Sequence, residues 1–517
     1  MDFFVIKYPS KISTTRKSAA YLVIDSWDDY SFSTLFTLFV VDDALQKTEI
    51  GTVKIGFLGQ DRKPKPQTSA LLNEPFQQLD DQFFSLGQDV EYYKSLNSLD
   101  EELKTEILTA LRDIPYLNIL EEVENESVFE DSLLRTVSRQ SITEQFTRVI
   151  KGDAALTNYN FLFEIVGSTE QAGYKLDFDV YAESKPSTNI HVIIGRNGVG
   201  KTTLFRKMIE SLHVGYESND AIFRDTSRGT ERELHDEYFG GTVSIAFSAF
   251  DPFEPLEEQP SKDKGSCYFY VGLKKLSINQ LEDGEDAPLK TIGEINQEFT
   301  SALGNCFSQV EKRKRWLKAI RMLESDENFA EMQLGRLAEL RSTKDVKEAA
   351  LHLISRMSSG HTIVLLSITR LVQLVEEKTL VLIDEPESHL HPPLLSAFLR
   401  ALSDLLYSRN GVAIIATHSP VVLQEVPRRC VWKLNRVGLE MGCDRPDRET
   451  FGENVGVLTR AVFGLEVWKS GFHSLLQLEV DTGGTFEDIV GRFDDQLGIE
   501  GRAVLKSLIL DRDTKSI

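Results

Sequence analysis

Four groups of residues in this chain have the types and spacings that phosphate chemistry uses. The first is Gly195, Arg196, Asn197, Gly198, Val199, Gly200, Lys201, Thr202 and Thr203, a complete G-x-x-x-x-G-K-[ST] pattern. Its glycines admit backbone conformations that turn successive N–H groups toward one anion. Lys201 can reach the outer phosphates, and the Thr202 hydroxyl can ligate Mg2+. The second group is Asp384 and Glu385, inside TLVLIDEPESHLHP at 379–392. One carboxylate can hold Mg2+ through water while the next orients and deprotonates an attacking water. Read blandly, they are two acids ending a strand. The third is MSSGH at 357–361, with Ser358, Ser359 and Gly360, whose glycine precedes Asp384 by 24 residues. A small-residue turn opening a helix offers N–H groups, a hydroxyl and a positive dipole end to a phosphate, and by itself it reads equally as an ordinary helix cap. The fourth is His418, 34 residues after Asp384 in VAIIATHSP. It can sense or polarise a terminal phosphate, or simply be a satisfied core histidine. The combination points to nucleotide hydrolysis.

Each group needs an element to position it. HVIIG at 191–195 is an apolar strand running into the glycine loop, and TTLFRKMIESL is a helix-compatible segment behind it. Four apolar residues lead to Asp384 on a buried strand expected to neighbour the phosphate loop, and 412–417 forms another strand ending at His418. Behind Gly360 an amphipathic helix places Val364, Ile368, Leu371 and Val375 on one face. Two strands, at 161–166 and 176–180, precede the loop, a polar segment follows its helix to about 237, and VSIAF at 243–247 is a further strand. Residues 254–264 have the composition of a surface loop.

Further out, the first sixty residues carry β-rich runs separated by turn formers and read as a small antiparallel sheet. A helix follows from a capping box at Ser98 and Glu101, with Leu99, Leu103, Ile107, Leu111 and Ile114 on one face, and a second helical stretch covers 128–150. The stretch 293–356 is helical and charged. It includes Lys312, Arg313, Lys314, Arg315, Lys318 and Arg321 beside Trp316, which suits a nucleic-acid backbone, although such a run is more often a solvated face. The chain thus divides into a β-then-helical region at 1–150, an α/β core at 151–430 with a helical insertion at about 293–356, and a C-terminal extension at 431–517.

Bulk properties narrow the class. At 517 residues the chain is too long for one hydrophobic core. A formal charge of −22 excludes a surface that binds DNA non-specifically over its whole extent. Cys267, Cys306, Cys430 and Cys443 have no C-x-x-C spacing, so neither a zinc site nor a disulfide framework is expected and a reducing, cytoplasmic setting fits. No apolar run reaches the roughly 20 residues that span a bilayer, so no direct membrane insertion is expected.

The order and spacing of the four groups resemble the ABC-type ATPases, in the branch that holds SMC and RecF-like proteins and the OLD-like ATPases. GRNGVGKT is similar to the Walker A loop of that family, MSSGH stands where LSGGQ belongs, LVLIDEPE is similar to Walker B with its catalytic Glu, and THS to the switch histidine. The resemblance spans about 159–420. It implies an α/β head, a mixed-sheet core with an antiparallel β subdomain and a helical insertion, joined to the N-terminal region. It further implies that residues 195–203 bind ATP, that Thr202 and Asp384 hold Mg2+, that Glu385 is the general base with Lys201 and His418 assisting, and that Ser358, Ser359 and Gly360 act on the nucleotide of a facing subunit. A head-to-head homodimer or higher homo-oligomer follows. Ser359 and His361 depart from LSGGQ, no Q-loop glutamine follows VSIAF, and Glu387-Ser388-His389-Leu390 replaces the transporter-type D-loop.

DEPESHLHP also resembles the OLD-like and defence-associated ATPases. Only 98 residues follow Ser419, without an assembled TOPRIM-type metal site, so no nuclease is expected in this chain. The resemblance to the ATPase subunit of Septu-like systems implies control of a separate effector, such as an HNH-type nuclease, in antiviral defence. A RecF-like repair ATPase, a transporter's nucleotide-binding subunit and an ATP-gated scaffold are the alternatives. The stretch 451–467 is open to packing on the head or docking a partner.

Overall fold

The structure, a computed structural model, describes residues 1–25, 28–63, 65–72, 75–152, 156–167, 172–213, 220–227, 229–234, 238–248, 255–260, 266–276, 288–340, 342–438, 440–463 and 471–515. Three sheets organise these residues. The expected loop at 254–264 lies partly outside them, as do 249–253 and 464–467.

The first sheet has strands β1 (Asp2–Ile6), β2 (Ala19–Ile24), β3 (Leu35–Val41), β4 (Lys47–Phe57) and β5 (Phe83–Gly87), in that spatial order. It corrects the antiparallel expectation in one place, because β1 runs parallel to β2. The twelve residues between those strands let the chain return before pairing. One face packs against helices that include Val90–Asn97 and Glu101–Ala110 around a core with Phe36, Leu38, Tyr92, Tyr93 and Ile107. The capping box expected at Ser98 is absent: Ser98 closes the preceding helix and the next one opens after Asp100. Ile114 falls in a separate turn, since Arg112 adopts a left-handed backbone that ends the helix. The stretch 128–150 is helical as expected but in pieces: short helices at Ser127–Asp131 and Leu133–Arg135, then a continuous run over 139–150 whose Ser141–Phe146 part is π-helical.

The chain then forms β6 (Tyr159–Ile165) and β7 (Tyr174–Val180), which pair antiparallel, before β8 (Ile190–Gly195) enters the main sheet. After the helix Lys201–Glu210 it returns through β9 (Ala221–Asp225) and β10 (Arg232–Glu233) to the β6–β7 pair. The antiparallel subdomain therefore has four strands, two of them inside a segment too polar to read as strand. Main-sheet strands follow: β11 (Gly241–Ala246), β12 (Tyr268–Gly272), β13 (Thr379–Asp384), β14 (Val412–Thr417), β15 (Val431–Val437) and β16 (Glu440–Asp444). The order is β12-β11-β13-β14-β8-β15-β16, parallel throughout except for the β15–β16 hairpin. This is the expected α/β head, a mixed-sheet core with an antiparallel β subdomain.

Both faces of the main sheet are covered, so its strands read as continuous apolar runs. Ile194, Val243, Ile383 and Ile415 face one core, shared with the helices Ile292–Phe307, Val310–Leu323, Ser359–Leu374 and Pro392–Ser408. Ile193, Leu382, Ile414 and Ala416 face the other, with Leu204, Phe205 and Met208 of the helix Lys201–Glu210 and the aromatic face of the antiparallel subdomain. Trp316 is 0% exposed and donates its indole N–H to Thr369 Oγ1 at 2.9 Å. It is a core residue, so it is no surface platform for a base.

The first sheet's unit is joined to the head by buried charges. Asp89 accepts from both Arg315 and Arg409. Glu377 is paired with Arg148 at 3.0 Å and accepts from Asn410, and Lys378 pairs with Glu144 at 3.0 Å. Lys314 reaches Glu49, and Lys318 reaches Asp404. Much of the basic run on Val310–Leu323 thus has carboxylate partners within the molecule. Past the hairpin, Leu458 and Val462 of the helix Val455–Phe463 join the main core, so the described part of 451–467 packs on the head. Helices Gly471–Asp481, Phe486–Arg492 and Ile499–Lys515 build a small core of their own around Leu476, Ile489 and Leu505. Among the described residues, no helix is long and apolar enough to cross a membrane.

Candidate nucleotide site

In a parallel sheet, ligands collect at the carboxyl ends of the strands. Three such ends lie in register here: Asp384 of β13 is opposite Ala416 of β14, and Thr417 is opposite Ile194 of β8. The phosphate-loop strand β8 is flanked by β14 and β15, so the carboxylate strand neighbours the phosphate loop through its carboxyl end rather than by pairing with β8. β13 is one place further out, and the loop that ends β14 lies between them.

The loop after β8 is built by backbone strain that only glycine tolerates. Gly198 and Gly200 have φ of +79° and +102°, and an added Cβ at either would meet nothing within 4 Å. Left-handed backbone beside open space is the form of a cradle for phosphate oxygens. Arg196 and Asn197 are exposed at its tip, Val199 is buried beneath it, and Gly195 is pressed so close to Leu434 that its Cβ would lie 2.7 Å from the carbonyl oxygen. The helix Lys201–Glu210 opens at Gly200 and aims its positive end at the cradle. Lys201, 4% exposed, folds back to donate to the Gly195 and Arg196 carbonyls at 3.0 and 3.2 Å. Burial lowers its pKa, while Glu385, Asp384 and Glu387 pull the other way. Thr203 is exposed, whereas Thr202 and Asp384 line one cavity, along with Tyr268, Tyr270 and Lys274. A hydroxyl and a carboxylate facing one space beside a phosphate cradle fit the donor set for Mg2+.

Glu385 follows Asp384 with a left-handed backbone, φ +46°, fixed by a hydrogen bond from its N–H to the Ala416 carbonyl at 2.9 Å. Such a conformation in a non-glycine residue is costly and concentrates at functional sites. It brings Glu385 Oε1 to 3.9 Å from Lys201 Nζ and 3.5 Å from His418 Nδ1. Hydrogen bonding with His418 holds Glu385 below the usual carboxylate range, and the same contact, with Glu387 adding, raises His418 above its ordinary value.

Glu387 is the residue that motif reading left without a role. Its Oε1 accepts from the Thr417 hydroxyl at 2.6 Å and the His418 N–H at 2.7 Å, clamping the end of β14 to the turn Pro386–His389. Its position two residues after Glu385 was the available signal.

Ser358, Ser359 and Gly360 belong to a second cluster. Ser358 caps the helix Ser359–Leu374, and both serines are exposed. Gly360 is buried against the His389 carbonyl, 2.4 Å from where a Cβ would sit. His361 Nδ1 lies 2.6 Å from Ser358 Oγ, and its Nε2 lies 3.1 Å from Asp326 Oδ1. His391 reaches the other oxygen of Asp326 at 3.1 Å. Asp326, 35 residues before His361 and preceding an unremarkable helix, carried no signal in the sequence.

A family model described as "AAA domain, putative AbiEii toxin, Type IV TA system" matches residues 306–424, which hold the signature, Asp384, Glu385 and His418. Protein ea59 of Escherichia phage lambda is 47% identical over 530 aligned positions, covering 99% of each chain. Solved structures include MJ1267, an ATP-binding cassette of an ABC transporter in its ADP conformation. It is 14% identical with a TM-score of 0.32, covering 61% of this chain and 100% of its own. UvrA2 from Deinococcus radiodurans is 14% identical with a TM-score of 0.30, covering 62% and 42%.

Proposed function

This chain belongs to the family of phage lambda protein ea59, and we propose that it is an ATP-hydrolysing switch in which ATP joins two heads and hydrolysis releases them. The observation that carries this reading is the separation of two clusters. Lys201, Asp384, Glu385 and His418 converge at the sheet's carboxyl edge, whereas Ser358 and Ser359 stand exposed at the start of another helix. A site of this kind is completed by the serines of a facing copy.

Residues 195–203 hold the phosphates, with the loop amides and Lys201 offsetting their charge. Mg2+ held by Thr202 and Asp384 would neutralise further charge on the outer phosphates. Glu385, ionised because its carboxyl is held low, is the group placed to orient and deprotonate the attacking water. His418, whose pKa the same pairing raises, presents its Nδ1 beside it at 3.5 Å.

We place this switch upstream of a separately encoded effector, with an HNH-type nuclease as the expected class, in conflict between phage and host. The matching family model, described as "AAA domain, putative AbiEii toxin, Type IV TA system", and the phage origin of the ea59 relative support that setting. The test is Glu385→Gln in the full chain. Phosphate release should fall by about 10²–10⁴-fold while ATP is still bound, and a dimer should accumulate with ATP and Mg2+. A parent without ATPase activity, or a variant that stays monomeric with ATP, overturns the switch. Mass spectrometry of proteins retained by the ATP-loaded variant tests the effector: a nuclease supports it, and a permease overturns it.

A further inference from the structure

We infer that Asp326 is the link through which the turn that follows a subunit's own Glu385 sets the position of Ser358, the serine it offers to a facing subunit's nucleotide. The inference rests on the dimer reading above and deepens it by naming a regulation of that site: a subunit presents its signature in register only while its own hydrolytic turn is in place.

DEPESHLHP leaves one histidine, His391, that phosphate chemistry does not use. It stands where three helices begin. His391 caps Pro392–Ser408, its Nδ1 accepting the Leu394 N–H at 3.3 Å. Ser358 caps Ser359–Leu374, its hydroxyl oxygen accepting the His361 N–H at 3.4 Å. Asp326 caps Glu327–Met332, its Oδ1 accepting the Phe329 N–H at 3.1 Å. The carboxylate of Asp326 gathers the other two caps: Oδ1 lies 3.1 Å from His361 Nε2, and Oδ2 lies 3.1 Å from His391 Nε2. The far nitrogen of each ring is also engaged, His361 Nδ1 lying 2.6 Å from Ser358 Oγ. Each imidazole is thus held at both ends, and neither can turn without giving up two contacts. Asp326 is 5% exposed at its side chain, so water competes little for them.

The other end of this set of contacts reaches the nucleotide. The turn Pro386–His389 leads into His391, and Glu387 within it holds the Thr417 hydroxyl and the His418 N–H. The His389 carbonyl presses on Gly360, in the same first turn of the signature helix that carries His361. From His418 to Ser358 every step is therefore a hydrogen bond, a backbone contact or a few consecutive residues. The turn starts at Glu385, whose left-handed backbone is costly and is held by its hydrogen bond to the Ala416 carbonyl, so a relaxed arrangement is available to it. A shift there moves His391, and through Asp326 it moves the ring that seats Ser358. In the dimer, the water-activating turn of each subunit then governs the serine that the facing site needs. His391, Asp326 and His361 are positioning residues that act through Ser358.

The experiment measures phosphate release by the full-length protein at saturating ATP and Mg2+, at protein concentrations where the rate per chain no longer rises. Asp326→Ala and His391→Asn should each lower kcat by about tenfold with KM for ATP unchanged. Asparagine keeps a cap for the helix Pro392–Ser408 but has no atom in place of Nε2, and His391 is half-exposed, so this variant severs the link without unseating the fold. In a Glu387→Ala background, where the contacts are already cut, His391→Asn should cost less than about twofold more, whereas independent effects would multiply. A His391→Asn protein with the kcat of the parent, or a further loss of about tenfold in the Glu387→Ala background, overturns the link and leaves the dimer reading intact. A Glu385→Gln protein that stays monomeric with ATP overturns the dimer reading, and the link with it.

Discussion

Glu387 and His418 are joined twice: Glu387 Oε1 accepts the His418 backbone N–H at 2.7 Å and lies 3.1 Å from its Nδ1. The same oxygen takes the Thr417 hydroxyl at 2.6 Å, so one carboxylate sets both the height and the charge of the switch loop. Replacing it by alanine leaves a buried hydroxyl and an amide without their acceptor. We expect Glu387→Ala to cost about 1–3 kcal/mol in denaturant unfolding. Phosphate release should fall in kcat with little change in KM for ATP, because Glu387 touches the switch and not the cradle. An unchanged kcat would remove Glu387 from the site.

The Glu385–His418 pair predicts a pH profile with a definite sign. His418 is raised above its ordinary 6.5, so its contribution is complete below that value and is lost as pH climbs through the raised one. Glu385 is lowered from 4.5, so its contribution is complete above 4.5 and is lost as pH falls through the lowered value. The pair is therefore fully formed between these limits. ATP hydrolysis should show an alkaline decline that begins above pH 6.5. His418→Gln should flatten that decline in kcat/KM, and a decline that survives the substitution assigns it to another group.

Gly360 is held against backbone, not against a movable side chain, with the His389 carbonyl 2.4 Å from its would-be Cβ. Gly360→Ala must push the signature helix off the turn after Glu385. The expected cost is about 1–3 kcal/mol of stability, read as a lowered Tm. ATP binding by the monomer should persist while ATP-dependent dimerisation is lost. Intact dimerisation would show that the seat of this helix is irrelevant to assembly.

Asp89 lies between Arg315 and Arg409, the latter 2% exposed. Removing the carboxylate strands a buried guanidinium, for which about 3–5 kcal/mol is the expected loss. Asp89→Ala should lower the denaturant midpoint without changing the slope. A shift below about 1 kcal/mol would mean that solvent reaches Arg409.

The parts of the fold legible in the sequence were those whose signal is local. The loop at 195–203 and the strand ending at Asp384 are written in consecutive residues, and both stand at one edge of the main sheet. What stayed hidden depends on distance along the chain. β9 turns only one face to the core and pairs with β6 more than fifty residues back, while β10, exposed at both residues, pairs with β9. Asp326 meets His361 and His391 only after three helices have packed. Trp316 among six basic residues looked like a surface feature, since a sequence shows which residues are charged but not that their partners are Asp89, Glu49 and Asp404 across the fold.

The buried charges between the first sheet's unit and the head have a consequence for dissecting the molecule. Glu377 and Lys378 stand just before β13, and Arg409 and Asn410 just before β14, the two strands whose far ends carry Glu385 and His418. Their counter-charges, Arg148, Glu144 and Asp89, all come from the first 150 residues. An excised head would begin its two working strands with a buried carboxylate left to Asn410 alone and a buried guanidinium stripped of Asp89. There is no seam here at which to cut, and the N-terminal unit is the footing on which the hydrolytic strands stand.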